Sequence, residues 1–71
     1  MQKNVFLKKL GERVASVRKE KKLSQSDLAR LTEKDRQSIH RLEKGQINPS
    51  VYYLYEVAAA LKTKVKELVD F

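Results

Sequence analysis

The chain has no cysteine, which excludes a disulfide framework and any thiolate-held zinc. It has one histidine, His40. That residue has no second imidazole to share a metal and no carboxylate four positions further along a helix, so neither a metal centre nor a general-base pair is expected. The two glycines, Gly11 and Gly45, stand far apart and build no phosphate-cradling loop. No stretch approaches the roughly 18 apolar residues of a membrane span. The opening MQKNVFLKKL has no apolar run long enough for a signal peptide. Ser24, Ser26, Ser38 and Ser50 all have capping or helix-surface explanations, so no nucleophile stands out. A chain of 71 residues buries only about 60% of its unfolded surface, too little to frame a large catalytic cleft. These absences argue against an enzyme, a cofactor, a small-molecule substrate and a membrane protein. One cytoplasmic domain spanning residues 1–71 is expected.

What the chain has in excess is positive charge. Sixteen Lys and Arg against nine Asp and Glu give a net +7 and a pI near 9.9. A polyanionic partner is implied, although charge alone suits ribosomal, membrane-surface and DNA-binding proteins equally. Phe6, Leu7, Leu10, Val14 and Val17 recur at steps of one, three and four, the apolar stripe of an amphipathic helix. Asn4 is the expected N-cap, and Lys19, Lys21 and Lys22 favour the C-terminal end. Gly11 costs this helix about 1 kcal/mol relative to Ala, and it either marks a close helix contact or is incidental. Arg18 lies at the rim of the stripe, where a charge needs a partner.

The stretch LSQSDLARLTEKDRQSIHRLEKG, Leu23 to Gly45, organises the rest. Ser24 and Asp27 have the capping-box spacing, and Leu23 and Leu28 that of a hydrophobic staple. A short helix therefore starts after Ser24, with Leu28, Ala29 and Leu31 as its apolar face. Gln25, at its first position, is placed either to meet a phosphate or simply to face solvent. Thr32, Glu33 and Lys34 make a turn, Asp35 caps a further helix, and Gly45 ends it in the left-handed conformation. Ile39 and Leu42 point inward from that helix, and Arg36, Gln37, His40, Arg41 and Lys44 lie on its other side. Arg grips guanine O6 and N7 in bidentate fashion, and Gln does the same to adenine N6 and N7. A surface made for phosphate alone needs only Lys and Arg, so the interposed Gln37 points to base reading. Glu43, at the rim of the apolar face, mirrors Arg18, and the two are expected to form a partly buried ion pair joining the first helix to the third.

With its Q-x-x-L-A and I-x-x-L-E-x-G spacing, the run from Leu10 to Leu68 resembles the phage-repressor (Cro-type, XRE) helix-turn-helix family. The resemblance implies an all-α, compact five-helix lambda-repressor-like fold, with the helix-turn-helix at about residues 24–44. It implies base reading by Arg36, Gln37 and Arg41, phosphate binding by Gln25 and Lys44, and an Arg18–Glu43 ion pair; Ser24 and His40 are expected to join the phosphate contacts. Three positions depart from the family pattern. Glu33 and Lys62 stand where Gly is frequent, and Lys34 stands where a buried Val or Leu is usual. In size the chain resembles restriction–modification controllers and small prophage or mobile-element regulators.

Beyond Gly45, Asn48 and Pro49 lead into a fourth helix with Val51, Leu54, Val57, Ala58 and Leu61 facing inward. Its other side carries Tyr52, Tyr55 and Ala59, and Glu56 is its only charge. A helix apolar nearly all round is normally covered on both sides, and so short a chain cannot supply a second core. A second copy is therefore expected to cover residues from about 50 to 71, through Tyr52, Tyr55, Ala59, Val65, Leu68, Val69 and Phe71, with a last short helix at about Val65–Val69. The alternative is that the tyrosines merely roof the core with their hydroxyls in water. Functionally the chain reads as a homodimeric regulator of double-stranded DNA. An antitoxin-like module covering a protein partner is the alternative, weakened by the basic charge and the lack of a wrapping tail. No aromatic interrupts the basic face, which argues against single-stranded RNA.

Overall fold

Five helices account for the chain in the computed structural model, which describes residues 1–71: α1 (Lys3–Glu20), α2 (Gln25–Leu31), α3 (Arg36–Glu43), α4 (Val51–Ala60) and α5 (Val65–Leu68). There is no strand, and the all-α architecture matches the expectation. Each of the first four helices contributes one apolar stripe to a single core. Its fully buried members include Leu10 and Val14 of α1, Leu28 of α2, Ile39 and Leu42 of α3, and Val57 of α4. Leu68 of α5 closes the same core from the C-terminal side. Arg13 holds α5 against α1 by donating from Nε to the carbonyl oxygen of Glu67 at 2.8 Å.

Side chains cap the starts of α2, α3 and α4. Ser24 and Asp27 form a full capping box, Asp35 accepts the Ser38 N–H at 2.6 Å, and Ser50 accepts the Tyr53 N–H at 3.0 Å. Pro49 therefore lies just ahead of the cap of α4, outside its first turn. Asn4 is not the cap of α1: the helix begins one residue earlier, and its N-cap, Gln2, makes no side-chain bond.

Helix ends share one device. In α1 to α4 the two residues after the C-cap donate back in the paired Schellman pattern, as in Gly45 N–H to Leu42 and Gln46 N–H to Arg41. The left-handed residue is Lys22, Glu33, Gly45 and Lys62 in turn, with φ of 60°, 56°, 72° and 57°. Glu33 and Lys62 thus keep the connections that Gly usually makes, and Lys22 is a third such position.

Gly11 marks a real contact. A Cβ there would lie on the backbone oxygens of Leu42 and Glu43, 2.5 Å from the former, so α1 crosses the end of α3 at backbone distance. Beside this crossing the expected ion pair forms. Arg18 donates from Nε and Nη2 to the two carboxylate oxygens of Glu43 at 2.7 and 3.0 Å, and from Nη1 to the Leu23 carbonyl at 2.8 Å. The hydrogen bonds to Glu43 raise the Arg18 pKa against the opposing effect of burial.

Three expected inward residues face out instead: Phe6, Leu31 and Val51. Each lies at or near an end of its helix, where the side is right but no neighbouring element extends far enough to cover it.

Candidate nucleic-acid interface

Ile39 and Leu42, at 0% and 1% exposure, clamp α3 to the core, and caps at both ends fix its length. The side that remains carries Arg36, Gln37, Arg41 and Lys44, all exposed, with His40 half-buried beside them. Neither the Gln37 nor the Arg41 side chain makes a hydrogen bond within the chain, so their polar ends are free for an outside partner.

A shallow groove runs between α1, α2 and the same side of α3. It is lined by Glu12, Lys19, Gln25, Arg36, His40 and Lys44, with Arg18 and Glu43 also on its wall. Gln25 donates one amide hydrogen to Glu43 Oε1 at 2.9 Å. The other amide hydrogen and the carbonyl have no partner in the chain, so the buried pair positions Gln25 without saturating it. Ser24 Oγ is held in the cap of α2, where it accepts from Asp27 N–H at 3.0 Å. Glu43 is neutralised by Arg18, so the groove's outward charge comes from Lys19, Arg36 and Lys44 against Glu12 alone. In the sequence Lys19 marks only the end of a helix. Glu12, Ala15 and Lys19 are spaced by three and four, beside Arg18, and that spacing marks the strip of α1 that faces α3.

The surface expected to meet a second copy is divided. Tyr52 and Tyr55 are 67% and 60% exposed, with ring centroids 6.1 Å apart. Ala59 is exposed next to them, and Tyr55 and Ala59 share a depression with Leu31 of α2. Leu68 does not belong to this surface. It is wholly buried in the chain's own core, because α5 packs inward between α1 and α4. Val65 and Val69 are half-buried against the same core. Phe71 lies elsewhere, its ring 5.3 Å from that of Phe6 near the start of α1. Leu31 shares another depression with Lys21 and Leu23, just past the opposite end of α1.

Lys34, where the family usually buries Val or Leu, packs differently: it lays its stem against α4, pairs with Glu56 at 2.8 Å and sits 4.4 Å from the centre of the Tyr53 ring.

Two helices joined by a tight turn, the second capped at both ends and presenting cations and an amide outward, define the helix-turn-helix class of DNA-binding regulators. The helix-turn-helix family HTH_3 matches residues 14–68, and the chain belongs to it. An immunity repressor protein of Bacillus phage phi105 is 37% identical over 60 residues, covering 84% of this chain and 42% of the repressor. The chain therefore spans less than half the length of that relative. An uncharacterized HTH-type transcriptional regulator, y4dJ, of Sinorhizobium fredii is 39% identical over 62 residues, covering 87% of this chain and 80% of its own. Among solved structures, the restriction-modification controller protein C.AhdI of Aeromonas hydrophila superposes with a TM-score of 0.85 at 39% identity. That match covers 87% of this chain and 94% of the controller.

Proposed function

We propose that the chain works as a homodimer that reads a pseudo-palindromic operator, with one α3 in each of two successive major grooves about 34–36 Å apart. The observation that carries this is the division of α3: Ile39 and Leu42 are buried while Arg36, Gln37 and Arg41 are exposed on the opposite side. Arg36, Gln37 and Arg41 meet base edges, and Ser24, Gln25, His40 and Lys44, joined by Lys19, hold the flanking phosphates. The exposed tyrosines of α4 and Leu31 of α2 supply the surface on which the second copy packs. The kinship with a phage immunity repressor and with a restriction-modification controller supports a role at promoters.

Selection of bound duplexes from a random pool tests the proposal and should return an inverted repeat. Gln37→Ala should then lose about 1–3 kcal/mol of discrimination at one base pair of each half-site. Equal weakening of all sequences by Gln37→Ala would remove that residue from base reading, and recovery of no preferred sequence would overturn the regulator reading itself.

A further inference from the structure

Helices α3 and α4 share a single hydrogen bond, between Ser38 Oγ and Tyr53 Oη at 2.6 Å. One turn along α4, Glu56 accepts from Lys34 Nζ at 2.8 Å, and that ammonium lies 4.4 Å from the centre of the Tyr53 ring. Lys34 immediately precedes Asp35, the cap of α3, and Ser38 is the residue whose backbone Asp35 caps. Two side chains of α4 therefore hold the N-terminal end of α3, one through its turn and one through its first turn. The α3 backbone itself packs chiefly on α1 and α2, and α4 packs on α2 and α5. These polar ties are the direct link between the two helices apart from the shared core. The other side of α4 carries Tyr52, Tyr55 and Ala59.

We propose that the Ser38–Tyr53 bond and the Lys34–Glu56 pair are a positioning device that sets the half-site spacing the dimer accepts. The proposal rests on the dimer of the preceding subsection, since only there does the angle between α3 and α4 become the separation of two reading helices. Adding one base pair between half-sites shifts the second by about 3.4 Å and turns it by about 34° around the duplex. A dimer whose reading helices are fixed to the pairing helices rejects that displacement. One whose α3 can swing on its remaining core contacts tolerates it. Tyr53, Glu56, Ser38 and Lys34 touch no base in this scheme and act through α3.

The test uses duplexes carrying the selected half-sites with spacers from two base pairs shorter to two longer than the preferred one. Wild type should favour one spacer sharply. Tyr53→Phe and Glu56→Gln, singly and together, should leave dimer sedimentation and the base preferences within a half-site unchanged. The discrimination between the preferred spacer and its neighbours should fall about 3- to 10-fold, the scale of a lost hydrogen bond. Ser38→Ala removes the same bond from the other side, so it should reproduce Tyr53→Phe and add nothing to it in the double variant. Unchanged spacer discrimination, or an equal loss of affinity for every spacer, would overturn the proposal. Should wild type sediment as a monomer and show no spacer preference, the dimer reading is at fault and the positioning device falls with it. A dimeric, spacer-selective wild type with insensitive variants sinks the positioning device alone.

Discussion

Lys22, Glu33 and Lys62 hold positive φ values of 56–60° while bearing a Cβ. For an L-residue that conformation costs roughly 1–2 kcal/mol, and glycine escapes it at some loss of backbone entropy. Each is tolerated because the Schellman bonds it completes satisfy helix-end carbonyls that would otherwise go without partners. Glu33 is the informative position for a test, because its side chain is exposed and makes no hydrogen bond or ion pair, so removing it loses nothing else. Glu33→Gly should stabilise the fold by about 1 kcal/mol, raising the melting temperature by about 4–8 °C for a domain of this size. Thermal unfolding followed by circular dichroism checks this, and a lowered midpoint would show that the turn is not strained. Gly45 sets the contrast. There φ is +72°, and a Cβ would also lie 2.9 Å from the Cα of Lys8, so glycine is required by space as well as by conformation.

At the scale of a helix, α2 shows how little sequence specifies a start. Ser24 Oγ accepts the Asp27 N–H, and the Asp27 carboxylate accepts the Ser24 N–H at 2.8 Å. That backbone bond, followed by the bonds from Arg30 and the Ser24 hydroxyl, holds the Asp27 carboxyl below its ordinary pKa. A carboxylate depressed in the folded state stabilises the fold above its unfolded pKa of about 3.9, and the contribution disappears as pH falls through the lower folded value. Stability measured by urea unfolding should therefore drop below about pH 4, and drop less steeply in Asp27→Asn. Parallel acid limbs for the two proteins would show that the box contributes nothing through charge. This box, the Asp35 cap and the Arg18–Glu43 pair were legible in the sequence because each depends on local spacing or on the rim of a stripe. What was not legible depends on where neighbouring elements stop. Periodicity gives Phe6, Leu31 and Val51 the correct side without revealing that nothing reaches over them. It likewise places Leu68 on an apolar face without revealing that the face turns inward. The Lys34–Glu56 and Ser38–Tyr53 ties join residues 22 and 15 positions apart, and no local rule connects them.

Two surfaces of the molecule matter for assembly on DNA. Lys19, Arg36, Arg41 and Lys44 supply four of the sixteen cationic side chains around α3, while Leu31, Tyr52, Tyr55 and Ala59 are exposed on α2 and α4. Neutralising phosphates releases counterions, so the logarithm of affinity falls with the logarithm of salt at a slope of about −0.9 per phosphate contacted. A dimer contacts twice as many phosphates as one copy. Tyr55→Lys places a charge on the proposed pairing surface, where desolvating it opposes association, and it touches neither the core nor α3. It should sediment as a monomer with unchanged helix content, and its slope against salt should be about half that of wild type. The sign of the substitution sharpens the test: an added cation can only steepen the slope if it touches DNA, so a halved slope must come from losing the second copy. A wild-type slope in Tyr55→Lys would place the pairing surface elsewhere, with the Phe6–Phe71 patch the next surface to alter.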